Sequence, residues 1–206
     1  MVWRLIGSWV TRPHLRAWLA ASNWRILNLG GGGVLSGRWL TADVDPRSDV
    51  YMDITKRLPL PEGSIDVIYM EEVIEHVTLQ EGKALLDECL RVLKPGGRLR
   101  VTTPSLNVLA RRALKDEAYV PELNKMFYEH GHRYIYSEEQ LRACFLDAGF
   151  AEITASTYRD DRSPLGCLDS HHARFPWTQP ETSQYWDATK SKKKEFTSEI
   201  LTAGQA

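Results

Sequence analysis

The first third of this chain spaces its glycines and acids as if to hold a nucleoside. The apolar run Ile26-Leu27-Asn28-Leu29 ends in Gly30-Gly31-Gly32-Gly33, and Asp43-Val44-Asp45 follows ten residues later. An apolar run that breaks into glycines reads as a buried strand entering a tight loop, where a ligand can approach the main chain closely. An acid just after the next apolar run can accept hydrogen bonds from a pair of ribose hydroxyls. Met52-Asp53-Ile54 sets a second acid among apolar neighbours. Further along come Met70-Glu71-Glu72, Glu75-His76 and Tyr128-Glu129-His130-Gly131-His132. Their carboxylates and imidazoles can hold or move a proton near neutral pH. H-x-H beside a single Glu is a weak zinc spacing, so no metal is expected there.

Strand, glycine loop, strand and acid is how an α/β domain holds an adenosine-type cofactor. The dinucleotide fingerprint G-x-G-x-x-G fits poorly. From Gly30 its third glycine position is Leu35, and from Gly31 it is Ser36. Its ribose acid belongs about 20 residues on, whereas Asp43 lies thirteen positions after Gly30.

Three further pieces follow in order: Met52-Asp53-Ile54, the stretch Leu58-Pro59-Leu60-Pro61-Glu62-Gly63-Ser64-Ile65-Asp66, and Leu93-Lys94-Pro95-Gly96-Gly97. Together with Leu27-Asn28-Leu29-Gly30 and Asp43-Val44-Asp45-Pro46, this string resembles the class I S-adenosylmethionine-dependent methyltransferases. It is especially similar to a small, type 11-like bacterial group with a short gap between glycine loop and second strand. The resemblance spans roughly residues 24–155, and Gln184–Thr189 resembles the group's closing strand.

The resemblance implies S-adenosyl-L-methionine as cofactor and assigns roles residue by residue. Gly30, Gly31 and Gly32 would let the backbone approach the methionine part; their plain alternative is a bare turn. Asp43, with Val44 beside it, would take the ribose hydroxyls, and Asp45 competes for that role. Asp53 and Ile54 would flank the adenine. Asn28 stands where many relatives carry an acid. Met70 and Glu71 would lie near the sulfonium, although Glu71-Glu72 also suits a solvated helix start. His76, His130 and His132 are the candidate general bases for an oxygen acceptor; a structural histidine is the alternative for each. The implied reaction is O- or N-methylation of a small-molecule acceptor such as a sugar or secondary metabolite. A non-catalytic cofactor-binding scaffold and, behind it, a nicotinamide-dependent oxidoreductase are the other classes.

These residues need a frame. Short apolar runs place strands at 24–29, 38–43, 64–70 and 98–103, with strand-like alternation again at 150–157. Thr78-Leu79-Gln80-Glu81 and Ser137-Glu138-Glu139-Gln140 are capping boxes opening two helices, the first stopping at Lys94-Pro95-Gly96 and the second at Gly149. The alternation predicts an α/β fold with a largely parallel sheet, and the resemblance implies the Rossmann-like, mostly parallel seven-stranded sheet of the class I methyltransferases. Only five residues separate Gly33 from Trp39, too few for a normal crossover helix, so the first crossover should be stunted.

Residues 1–23 are expected to form a helical segment, with Thr11 as cap and Pro13 in the first turn. The plain reading lays it over the cofactor site; its Trp and Arg content also suits an interfacial membrane helix. Residues 24–189 form the expected methyltransferase domain, 158–183 within it a long loop with Arg159, Asp160, Asp161, Arg162, His171, His172 and Trp177, and 190–206 a frayed basic tail with Lys192, Lys193 and Lys194. A net charge of −1 gives no electrostatic case for nucleic acid. Three scattered cysteines, Cys89, Cys144 and Cys167, suggest buried free thiols in a reducing, cytoplasmic setting.

Overall fold

The structure is a computed structural model that describes residues 2–33, 38–176 and 178–192, with side chains described from Thr11 onward. Seven strands form one sheet: β1 Ile26–Leu29, β2 Leu40–Asp43, β3 Val50–Tyr51, β4 Ile65–Glu71, β5 Leu93–Pro104, β6 Ala151–Ser156 and β7 Ser183–Thr189. Their order is β3-β2-β1-β4-β5-β7-β6. The first five pair in parallel, and β7 runs antiparallel to both β5 and β6. The Rossmann-like, mostly parallel seven-stranded sheet is therefore as expected. β1 lies between β2 and β4, so the chain leaves it in opposite directions on its two sides. Ligands of open α/β sheets bind at such a switch point, beyond the strands' carboxyl ends.

Central parallel strands covered on both faces are apolar throughout. Leu27, Leu29, Ile68, Met70, Leu99 and Val101 are accordingly all buried. The covering helices are α1 Val2–Ala21, α2 Leu79–Val92, α3 Leu106–Lys115, α4 Val120–Tyr128, α5 Glu138–Ala148 and the short α6 His171–Arg174. The capping box of α2 is complete: Thr78 Oγ1 accepts from Glu81 N at 3.3 Å, and Glu81 Oε2 accepts from Thr78 N at 2.9 Å. Ser137 caps α5, and Gly149 ends it with φ 96°, a left-handed conformation that glycine adopts without steric cost. Leu85, Leu86, Cys89 and Val92 of α2 and Leu141, Cys144 and Phe145 of α5 enter the same core.

Several expectations need correction. β1 begins at Ile26 rather than 24, because Arg25 N–H donates to the Asp66 carboxylate at 2.9 Å instead of to a strand. Thr11 does not start a helix; α1 runs from Val2 straight through Thr11 and Pro13. The Thr11 hydroxyl is engaged elsewhere, accepting from Tyr51 N at 3.0 Å and lying 3.2 Å from Tyr51 O, to which it donates. Leu15 is buried, and Trp18 and Leu19 pack on the core beside it. The side chains of Trp3, Arg4 and Trp9 lie outside those described, as do Trp177 and the tail from Lys193. Of the first crossover, positions 34–37 lie outside the described residues, and the described part contains no helix. Cys89 and Cys144 are buried free thiols, but Cys167 is exposed. Among the described residues no helix is long and apolar enough to cross a membrane.

Segment 158–183 is not one open loop. It folds into a 3-10 turn at Gly166–Leu168, the helix α6 and a second 3-10 turn at Pro180–Thr182. Asp169 is the clamp. Its carboxylate takes two bonds of 2.6 Å from the guanidinium of Arg100 on β5, and both side chains have no exposed surface. Arg100 also donates to Asp187 on β7 at 3.0 Å. Removing one partner of a buried pair strands the other charge at a cost of about 3–5 kcal/mol, whereas replacing both with apolar groups costs far less. Asp169→Ala is accordingly expected to lose stability of about that size in urea unfolding. The double variant Arg100→Met/Asp169→Leu should recover most of the loss, and equal losses in the two proteins would show that packing rather than charge sets it.

Candidate active site

The glycine loop at the end of β1 is shaped by what surrounds it. A Cβ on Gly30 would lie 2.5 Å from a methyl of Val73, and one on Gly31 only 2.2 Å from Asn28 Nδ2 and 2.8 Å from Thr41 Cγ2. No side chain fits at either position without displacing a neighbour. Gly32 N–H then donates to Asp43 Oδ2 at 2.8 Å, while Asp43 Oδ1 accepts from Asp45 N at 2.9 Å. One carboxylate thus fixes the loop after β1 and the turn after β2 together. Each of its oxygens keeps a further lone pair for a ligand hydroxyl.

At the end of β4 the chain turns sharply. Glu72 has φ 56°, a left-handed conformation that costs a non-glycine residue about 1–3 kcal/mol and clusters at functional sites. Its neighbours hold it there: Glu72 N–H donates to Thr102 O at 3.0 Å, and Ser183 Oγ donates to Glu72 Oε1 at 2.9 Å. Glu71 points to the other side. It accepts from Ser170 N at 2.7 Å, Ser170 Oγ at 2.8 Å and Arg174 at 3.1 Å. Burial alone would raise its pKa, but the hydrogen bonds it accepts outweigh burial and hold it below the usual value.

A 3-10 turn, Ile74–His76, follows and brings Glu75 under the cleft floor. Glu75 is fully buried, with Oε2 accepting from Thr103 Oγ1 at 2.8 Å and Oε1 without a hydrogen-bond partner. Burial pushes it up to about 7. Burial and the neighbouring Glu75 push Glu72 well above the carboxylate range. The backbone carbonyl of Glu75 accepts from Arg133 N at 2.7 Å and Tyr134 N at 3.1 Å. This draws in the loop that follows α4, so the His76 and His132 rings meet edge to face at 4.8 Å and His130 lies 5.7 Å beyond His132. Burial lowers the pKa of His76. Burial, then the neighbouring His76, takes His132 down to about 4. Both shifts favour the neutral imidazole.

Two cavities open along these elements. One, of about 420 Å³, is lined by Gly30, Asp43, Val44, Met52, Asp53, Ile54, Glu72 and His76, among others. The second, of about 750 Å³, takes in Gly30–Gly33, Glu71, Glu72, His76, His130, His132 and, from the α6 region, His171, Arg174 and Phe175. Both volumes suit small-molecule sites. Gly30, Glu72 and His76 line both, so the cavities meet at these three residues.

Most of the expected site residues therefore converge, with three candidates placed differently. Met70 is completely buried and turned into the core. Asn28 is buried beneath Gly31 and lines neither cavity; its contact there is with the loop. Asp45 turns outward to pair with Arg47 at 2.6 Å. Arg174 and the Arg100–Asp169 clamp carry no signal in the sequence, and Glu75 drew notice there only as the neighbour of His76. Only the strand-end position of Glu71-Glu72 hinted that acids beyond it would matter.

Residues 34–155 match the model of a methyltransferase domain family. A Mycolicibacterium smegmatis protein, named as a probable S-adenosylmethionine-dependent methyltransferase, is 33% identical over 121 residues, which is 53% of this chain and 43% of that protein. The chain thus matches less than half the length of this curated relative. Among solved structures, a Thermotoga maritima methyltransferase described as a possible histamine N-methyltransferase aligns with TM-score 0.54 and 22% identity, over 92% of this chain and 93% of its own. Phosphoethanolamine N-methyltransferase 2 of Haemonchus contortus, solved with S-adenosyl-L-methionine, aligns with TM-score 0.54 and 14% identity over 83% of this chain and 49% of its own. At these identities the two structures speak for the fold. With the family match covering more than half of the sequence, the chain belongs to the class I S-adenosylmethionine-dependent methyltransferases.

Proposed function

We propose that this protein transfers a methyl group from S-adenosyl-L-methionine to a small-molecule acceptor. The observation that carries this reading is the meeting of the two cavities at Gly30, Glu72 and His76. The smaller cavity has the donors and acceptors an adenosyl group needs. Asp43 takes the ribose hydroxyls, and its place in the lining favours it over the outward-turned Asp45. Asp53 accepts from the adenine amine, with Ile54 and Val44 against the ring. Gly30, Gly31 and Gly32 leave room for the methionine part beside the backbone. Bound there, the cofactor supplies an electrophilic methyl on its sulfonium.

The chain's own work is then to hold an acceptor oxygen or nitrogen in line at about 3 Å and to exclude water. The larger cavity holds that acceptor, a sugar or secondary metabolite in our reading, between the histidine cluster and the α6 region. An oxygen acceptor must lose a proton. His76 is the imidazole at the seam, with His130 and His132 further along the same wall.

Residues 24–189 form the methyltransferase domain in this reading, residues 1–23 a helical segment beside the cofactor site and residues 190–206 a basic tail. The contact of Thr11 with Tyr51, two residues before Asp53, supports that place for the helix. Interfacial membrane contact is the weaker reading, because Leu15, Trp18 and Leu19 pack on the core. The free thiols support a cytoplasmic location.

Calorimetric titration with S-adenosylhomocysteine tests the cofactor, with NADH as the competing ligand. The expected result is binding of the first alone, and binding of NADH alone would overturn the assignment. Asp43→Ala removes both the ribose acceptor and the Gly32 clasp, so it should weaken S-adenosylhomocysteine binding by at least about tenfold, or about 1.4 kcal/mol. In the same titration Gly31→Ala should also bind more weakly, since its new methyl group must displace Asn28 or Thr41. Unchanged affinity in that variant would remove the glycine loop from the site.

A further inference from the structure

We propose that Glu75, His76 and His132 bind a divalent transition-metal ion at the seam between the two cavities. One donor atom from each of these three residues lies within 4.8 Å of the others, and Glu75 Oε1 stands 3.8 Å from His76 Nε2. Donors around a tetrahedral ion at about 2.0–2.2 Å sit roughly 3.4 Å apart. The widest separation therefore needs to contract by up to about 1.4 Å, a movement within reach of rotations of the two imidazoles.

Unmet bonding capacity points the same way. Glu75 is wholly buried, and beyond Thr103 its carboxyl meets that of a second acid, Glu72, while the buried Nδ1 of His132 has no hydrogen-bond partner. A buried polar atom without a partner is costly, and such atoms in folded proteins call for an explanation. One cation satisfies a carboxylate oxygen and an imidazole nitrogen together.

The surroundings are those of a ligand set. His76 Nδ1 lies 3.3 Å from the Gly131 carbonyl, and a proton on Nδ1 in that contact leaves the Nε2 lone pair facing Glu75. Metal-binding histidines are commonly oriented by just such a bond to a backbone carbonyl, and metal-binding carboxylates by a second hydrogen bond. Thr103 supplies the latter, donating to Glu75 Oε2 at 2.8 Å. The two backbone bonds from Arg133 and Tyr134 to the Glu75 carbonyl tie the segment bearing His132 to the segment bearing Glu75 and His76. Two imidazoles and one carboxylate suit zinc, cobalt, iron or manganese better than magnesium or calcium, and three protein ligands leave a position open.

That position opens where His76 lines both cavities, and the role that follows rests on the methyl-transfer reading above. An acceptor hydroxyl held by the ion would pass its proton to His130 on the same cavity wall, and its oxygen would attack the methyl carbon. The O–C bond forms as the S–C bond breaks, and the electron pair stays on sulfur as S-adenosylhomocysteine. His76 then serves as a ligand rather than as the base, and the acceptor class narrows to alcohols or phenols.

The test uses the full, untagged chain, stripped with chelator and titrated with cobalt(II) under visible spectroscopy, with zinc as competitor. We expect one equivalent of cobalt to bind with d–d bands of a low-coordinate nitrogen and oxygen site, and zinc to displace it. His132→Ala, which alters a half-buried ring, and Glu75→Gln should each weaken binding at least about tenfold, while S-adenosylhomocysteine affinity is kept. If Glu75→Gln fails to fold, His132→Ala alone decides the matter. No cobalt binding, or equal binding by wild type and variants, overturns the metal site. S-adenosylhomocysteine binding in the same samples separates that outcome from failure of the methyltransferase reading.

Discussion

The buried pair of Arg100 and Asp169 sets the shape of one wall of the larger cavity. Arg100 comes from the middle of β5, where the parallel part of the sheet meets the antiparallel β7, and its guanidinium has no exposed surface. Such a charge is tolerated only when its donors are all occupied. Asp169, Asp187, Ser156 and the Thr157 carbonyl occupy them. Fixing Asp169 fixes Ser170 and, one turn on, Arg174, and these two hold Glu71. The cavity wall is thus hung from the sheet by one ion pair.

The opposite wall is set by hydrogen bonds to a single backbone carbonyl. Glu75 O receives both Arg133 N and Tyr134 N, which places His130 and His132 against His76 although more than fifty residues separate them in sequence. Between the walls lies a strip of unusual electrostatics. Glu72 and Glu75 are acids raised by burial, while His76 and His132 are imidazoles lowered by it. Burial disfavours charge of either sign, so the strip sits close to neutral among groups that bear charge elsewhere.

How much of this was legible in the sequence depended on range. The glycine loop, Asp43, Asp53 and the two helix caps are local patterns carried by a few adjacent residues; the structure puts the loop and both acids along one cavity, completes the capping box at Thr78 and caps the other helix with Ser137 alone. Arg100 and Asp169 lie 69 residues apart. An arginine in an apolar strand names no partner, so the clamp was invisible and the segment it organises looked like a loop. Thr11 was misread for a related reason. Its local sequence suits a helix cap, but its hydroxyl found a better match in the Tyr51 backbone and the helix ran on past it. Met70 shows the opposite failure: next to Glu71 in sequence, it faces the core because strand neighbours point to opposite sides.

The Thr11 contact also guards the sheet. β3 is the outermost strand on its side, bonded only to β2 within the sheet, and an open strand edge is a template for another chain to join. By offering both a donor and an acceptor to Tyr51, the Thr11 hydroxyl imitates one residue of a further strand and then stops, since a helix has no second rung to offer. The sheet is ended by a helix posing for one residue as a strand. In this way α1 closes one position on an open sheet edge as well as covering the core.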